Sequence, residues 1–296
     1  MPPNLAYLLV ATSAFFWGAN FVLAGPVLAD LSPQWAAALR FLLGAGLMVA
    51  IAISRGEDLW TLARRHAAAY LLLGVVGIAA FNLLFFHAMQ STSADNGALI
   101  MATNPLLTTL LAAVLLGERA SGRQLAALPV ALAGVAVVVS HGQIDRLVNL
   151  QLAEGDLLML AANLTWAVFN VGSRRFMPQG SAVANNALMM IAGAAVLTAA
   201  AGISEAHFAL PGLWAGLALI AMAVGGTVLA YLFWGLGIRQ FGAGKTSLFL
   251  NLVPVFAMSL GGLLGQLPTA PQVAGGLLVL TAVIAAMMPS RQAVVA

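Results

Sequence analysis

The chain has 296 residues, of which 62% are hydrophobic and 7% charged, with a mean hydropathy of +0.99. A surface that faces water carries roughly 25% charged residues, so a soluble globular protein is excluded, and so are a disordered chain and a collagen-like repeat. The twelve Lys and Arg exceed the nine Asp and Glu by three but form no basic patch, which removes nucleic acid as a partner, and a chain without cysteine offers no disulfide or thiolate metal site.

A helix needs about 20 mainly apolar residues to cross the hydrocarbon core of a bilayer. Taken in chain order, the sequence predicts ten such spans, near 4–24, 33–54, 67–90, 93–117, 123–140, 154–175, 180–203, 211–239, 243–265 and 271–288. Turn and charge signals separate them, among them Ser32-Pro33, Arg55-Gly56-Glu57-Asp58, Gly117-Glu118-Arg119, Pro178-Gln179-Gly180 and Pro268. No basic residue precedes the first span, which is of full crossing length, so it reads as a retained helix rather than a cleaved signal. With the N-terminus inside, ten of the twelve basic residues fall on the cytoplasmic side, and Arg146 alone falls outside. This predicts a plasma-membrane protein, inner membrane in a bacterium, with both termini in the cytoplasm.

An offset of 149 residues lays Trp17 on Trp166, Ala94 on Ala243, Leu99 on Leu248 and Pro105 on Pro254. Spans 1–5 then overlay spans 6–10. Five is odd, so the second copy runs through the membrane upside down, a pattern common among secondary transporters. The expected architecture is all-α: residues 1–141 form the first five-helix repeat, 142–153 a periplasmic linker, and 154–296 the second, inverted repeat, around a central cavity. Pro105 and Pro254 are expected to kink their helices.

Polar side chains in a span either bond to a neighbouring helix or face a cavity. They recur here on single faces: Trp17 and Asn20 in span 1, Asn82 and Phe85 in span 3, Met101 and Asn104 in span 4. Asn163 and Trp166 follow in span 6, Tyr231 and Trp234 in span 8, and Asn251 in span 9. Amides, aromatics and Met without fixed charge suit a zwitterionic or amphipathic organic solute, and these residues are the expected substrate-binding set. Arg40 is the one cation inside a span, placed either to pair with Asp30 or Asp95 or to bind a substrate carboxylate. His87 and Asp95 are the remaining candidates for a charge or proton role, with structural hydrogen bonding and helix-dipole complementation as their alternatives. Spans 5 and 10 are rich in Ala and Gly, which fits packing within the bundle or in a dimer; the chain is expected to act as a monomer or a homodimer. No cofactor or metal is expected. An intramembrane enzyme lacks its constellation, because His87 has no buried nucleophile or carboxylate beside it. A channel without alternating access is the other alternative.

The chain resembles the EamA-type transporters of the drug/metabolite transporter superfamily, over essentially its whole length. The resemblance rests on Phe16-Trp17-Gly18-Ala19-Asn20-Phe21, Arg40-Phe41, Asn104-Pro105, Leu115-Leu116-Gly117-Glu118-Arg119 and Leu250-Asn251-Leu252-Val253-Pro254-Val255-Phe256. Within that superfamily it is most similar to the bacterial amino-acid exporters of the YddG type. The resemblance implies two five-helix halves around a cavity opened alternately to each side, and export of amino acids, aromatic ones included, or similar small metabolites, with some toxic cations among the solutes of that type. Apart from the resemblance, the lack of an Asp or Glu deep in any predicted span predicts a facilitator with little or no dependence on protons.

Overall fold

The computed structural model describes residues 2–89, 91–92, 97, 100–143, 145, 148, 154–204, 208–265 and 267–288. Among them there is no strand. The helices are α1 (Pro3–Asp30), α2 (Pro33–Ser54), α3 (Leu59–Ala88), α4 (Asn104–Leu116), α5 (Gly122–Val139), α6 (Glu154–Phe176), α7 (Ala182–Ile203), α8 (Leu213–Phe241), α9 (Ala243–Leu263) and α10 (Ala270–Met287). Eight of these, all but α4 and α6, are long and apolar enough to cross a membrane, and a shorter apolar stretch covers Ile100–Leu116.

Local chemistry sets the ends. Ser32, Ser121, Ser181 and Thr269 each accept a backbone N–H from the first turn of the helix that follows. Ser121 with Gln124, and Thr269 with Gln272, form reciprocal capping boxes at the starts of α5 and α10. Glu154 and Asp156 open α6 and Arg174 and Arg175 close it, each pair complementing the helix dipole at its end. Two expected boundaries move. α1 continues through Pro26 to Asp30 instead of stopping near residue 24. α3 begins at Leu59, and non-helical torsions at His66 bend its first, basic stretch away from the apolar remainder.

The surface is inverted relative to a soluble protein. Val114 is 81% exposed, Leu263 82% and Leu71 56%, while Asn104, Asn163, Asn170 and Thr227 are wholly buried. Large apolar side chains outside and amides inside are what a lipid solvent selects: this is a multi-pass membrane protein.

Packing follows a repeated scheme. α1 lies against α8 and α9, as α6 lies against α3 and α4; α2 packs on α7 and α8, as α7 packs on α2 and α3; α5 packs on α10. Exchanging each helix with the one five places along maps these pairings onto themselves. The α5–α10 contact is backbone to backbone: a methyl on Gly134 would stand 2.8 Å from the Gly275 carbonyl oxygen, and one on Gly275 would stand 2.8 Å from that of Gly134. The small residues of these helices therefore face each other.

Both α3 and α8 contain a π-helical stretch, Val75–Ala80 and Met222–Leu229. They overlap at the 149-residue offset, with Gly77 falling on Gly226. In each, the glycine gives room to a side chain from a neighbouring helix. A methyl at Gly77 would strike the Phe169 ring at 2.1 Å, and one at Gly226 the Asn20 amide at 2.4 Å.

Candidate functional site

Seven rings from five helices meet at the centre. Trp17 of α1 lies 5.4 Å from Trp166 of α6 and 4.9 Å from Trp234 of α8, centroid to centroid. Tyr231 stands edge-on to Trp166 at 5.9 Å and to Phe41 of α2 at 5.9 Å, and Phe169 lies 6.0 Å away. Phe81 of α3 closes the group at 5.1 Å from Trp166. Edge-to-face geometry places the electropositive rim of one ring on the face of the next.

The indole nitrogens are treated unequally. Trp17 Nε1 donates to the Gly226 carbonyl at 3.0 Å, an acceptor within the π-helical stretch of α8. Trp234 Nε1 donates to Asn170 Oδ1 at 2.8 Å. Trp166 Nε1 is buried without a partner, although an unmet buried donor costs roughly 1–3 kcal/mol.

Arg40 borders this group. Its Nη2 donates to Asn82 Oδ1 at 3.1 Å, and its guanidinium sits 4.8 Å above the Phe41 ring, which itself stands edge-on to Tyr231. Arg40 Nε is buried with no partner. The expected pairing with Asp30 does not form: Asp30 accepts the Gly212 amide at 2.8 Å instead. Asp95 lies outside the described residues.

The expected binding residues therefore divide. Trp17, Trp166, Tyr231 and Trp234 come together, with Asn82 beside Arg40 and Asn20 against Gly226. Phe85 stacks on Phe81 at 5.9 Å, one ring behind the cluster. Asn104 and Asn163 bond to each other instead: Asn104 Nδ2 donates to Asn163 Oδ1 at 2.6 Å and to its carbonyl at 2.9 Å. Asn163 Nδ2 donates in turn to the Ile100 carbonyl and Thr103 Oγ1. These two amides join α4 to α6 and have little capacity left for a solute. Met101 is half-buried just before a turn at Thr103, and Pro105 follows in the first turn of α4. Pro254 is likewise in the first turn after a 3₁₀ stretch, Leu248–Asn251, whose Asn251 is buried with its Oδ1 unpartnered. His87 is exposed, bonded through Nδ1 to the Leu83 carbonyl.

The sequence reading missed Phe41, Phe81 and Phe169. Phenylalanines in apolar runs carry no signal of their own, although the 149-residue offset places Phe169 opposite Asn20.

Two clefts approach the cluster from opposite ends. One, of about 30 Å³, runs from Arg239 and Met177 to Tyr231 and Trp234. The other, of about 40 Å³, runs between the ends of α1 and α2, past Phe86 and Met222, to Arg40. Ligand pockets usually begin near 300 Å³, so the centre is filled by rings and shut on both sides.

At the end that carries Arg174, a lock involves the Gly117-Glu118-Arg119 motif. The Glu118 carboxylate pairs with Arg174 at 3.6 Å and accepts the first amides of α9, Ala243 at 3.3 Å and Gly244 at 3.4 Å. Arg174 also donates to the Ile238 and Arg239 carbonyls at the end of α8, and Arg175 to the Leu115 carbonyl at 3.1 Å. One carboxylate thus ties the end of α4 to α6 and to the α8–α9 corner, with a helix N-terminus adding favourable charge.

The profile of the EamA-like transporter family matches residues 4–140 and again 153–288. An uncharacterized transporter of Bacillus subtilis, YyaM, is 36% identical over 284 residues, covering 95% of this chain and 92% of that protein. A probable amino-acid metabolite efflux pump of Escherichia coli is 26% identical over 94% of this chain and 91% of its own length. The aromatic amino acid exporter YddG of Ancylobacter novellus is 25% identical over 81% of this chain and 82% of its own. A solved crystal structure superposes with a TM-score of 0.83 at 22% identity, covering 98% of this chain and 99% of its own, which is a likeness of fold.

Proposed function

The chain belongs to the EamA-like transporter family, and from that premise we propose that it exports amino acids, aromatic ones included, or similar small metabolites by alternating access. The single observation that carries this reading is the ring cluster shut between two clefts, with the buried Trp166 Nε1 unmet at its centre. A solute with an aromatic or amphipathic body replaces ring–ring contacts by ring–solute contacts, and one acceptor on it satisfies Trp166. The sizes of the clefts mean that entry requires one end to open while the other stays closed.

The bundle is read as ten spans in two five-helix copies of opposite orientation, supported by the exchange symmetry of the packing and by the matching π-helical stretches of α3 and α8. Arg174 and Arg239, with Arg119 next to Glu118 and Lys245 next to Gly244, gather at the end held by Glu118, which the charge rule assigns to the cytoplasm of a plasma or inner membrane. Transport runs down the substrate gradient: among the described residues no carboxylate bonds to the ring cluster, and His87 faces outward.

The test is uptake of radiolabelled amino acids into proteoliposomes, over a panel from glycine to tryptophan. The expected outcome is saturable exchange accelerated by unlabelled substrate inside the vesicles. Flux that never saturates and shows no counterflow identifies a channel and removes alternating access.

A further inference from the structure

Arg40 is the least explained charge in the molecule. It lies seven residues into α2 from Pro33 and makes one side-chain hydrogen bond among the described residues, to the neutral Asn82. No described Asp or Glu stands within 4.0 Å of it, since the one ion pair found joins Arg174 to Glu118. Holding an unpaired cation in such a place is costly, and contact with the Phe41 face offsets only a part of that cost. The position equivalent to Arg40 at the 149-residue offset is Met189, apolar and buried. α2 and α7 pack on one another with the charge in one of them only.

The geometry around the guanidinium is specific. Asn82 Oδ1 holds Nη2, and Asn82 Nδ2 is itself fixed by the Ile78 carbonyl at 2.7 Å, so the amide oxygen has to point at Arg40. This leaves Nε as a buried donor of the fork lacking an acceptor. A carboxylate supplies one oxygen to Nε and a second to the N–H groups that Asn82 does not take. The 40 Å³ cleft leads to this residue between apolar walls, Val27, Ala37, Phe86 and Met222 among them, which bring no competing anion. On the other side of Arg40 stand Phe41 and Tyr231, the rim of the ring cluster.

We propose that Arg40 is the carboxylate anchor of the binding site, so that the solutes taken are organic acids and zwitterions and not amines that lack an acid group. This rests on the transporter reading above and deepens it. The acid group docks on the free Nε while Asn82 holds the guanidinium through Nη2, and the body of the solute lies against Tyr231, Trp17 and Trp166. Asn82 is a positioning residue in this arrangement, acting through Arg40.

Three probes of equal ring and different charge test it on the purified full-length protein: phenylalanine, 3-phenylpropionate and phenylethylamine. Thermal stability in detergent is measured with each, alongside counterflow in proteoliposomes. Phenylalanine and 3-phenylpropionate are expected to raise the unfolding temperature and to compete in counterflow, and phenylethylamine to do neither. Arg40→Met, which installs the residue of the equivalent position, is expected to weaken both carboxylates on the order of tenfold or more. Arg40→Lys keeps the charge but not the fork and falls between. Should Arg40→Met not fold, Asn82→Ala takes its place, with a raised KM and an unchanged preference for acids. The proposal is overturned if phenylethylamine binds as well as phenylalanine, if no carboxylate stabilises the protein, or if Arg40→Met binds both acids as wild type does. Stabilisation by the acids, lost in Arg40→Met, without any exchange across vesicles would instead overturn transport and leave the anchor standing.

Discussion

Trp166 and Asn163 sit three residues apart on one helix and do different work. Asn163 spends its amide on Asn104, Ile100 and Thr103, so its removal strands several buried polar groups at once. Asn163→Ala is expected to lower stability by about 1–3 kcal/mol, seen as a lower unfolding temperature and a reduced monodisperse yield in detergent. Trp166 touches rings and leaves its own donor unmet. Trp166→Phe keeps most of the ring area and removes only the indole N–H. It is expected to fold at wild-type yield and to raise KM for amino acids several-fold. His87 supplies the contrast: exposed and bonded to its own helix, it should tolerate His87→Gln with unchanged exchange, with or without a proton gradient. Accumulation driven by that gradient in wild type and lost in His87→Gln removes the uncoupled reading.

Elements were legible in the sequence wherever hydropathy alone decides, and less so where two helices negotiate. Small residues marked spans 5 and 10 as packing helices, and they meet through Gly134 and Gly275. Their mutual choice was not readable, since Ala and Gly fit any close neighbour equally. Gly134→Ala must force this contact apart and is expected to cost about 1–3 kcal/mol, measured by thermal unfolding, whereas Ala133→Gly on the same helix has no such clash to relieve. The rings of Trp17, Trp166, Tyr231 and Trp234 come together in one cluster, and the sequence trace of that is the stripe that aromatic and polar residues spaced by three or four share. Asn104 and Asn163 sat on similar stripes and joined each other instead, since a face tells that a side chain points inward but not what it finds there. The π-helical stretches left only one trace, the glycines 77 and 226 that coincide at the repeat offset.

At the scale of the molecule, the two ends are closed by different chemistry. The end with Arg174 is held by charge, through Glu118 and the first amides of α9, while the cleft at the other end has apolar walls down to Arg40. Glu118→Gln removes the ion pair and weakens the hold on α9, so this end should open more often. The chain has no cysteine, so Ser173→Cys, in the cleft at that end, makes a single reporter. Its labelling by a maleimide is expected to rise several-fold in the Glu118→Gln background; unchanged labelling removes the lock. A reporter fused after Ala296 should be active only in the cytoplasm, and a periplasmic C-terminus overturns the span count and the inversion together.

A π turn holds one residue more than an α turn, since its bonds run from i to i+5. Each of these surplus residues works as a phase setting. Beyond Val75–Ala80, α3 carries Asn82 and Phe85; beyond Met222–Leu229, α8 carries Tyr231 and Trp234. Everything that faces the centre on these two helices is therefore aimed by a wide turn upstream of it. Were either stretch to tighten to α with all its residues kept, the segment beyond would rotate by about 100°; deleting one residue from it would let the turn tighten and leave that segment in phase. In the first case the rings of α8, or the amide that steadies Arg40, would turn away from the centre in a chain of unchanged composition and hydropathy.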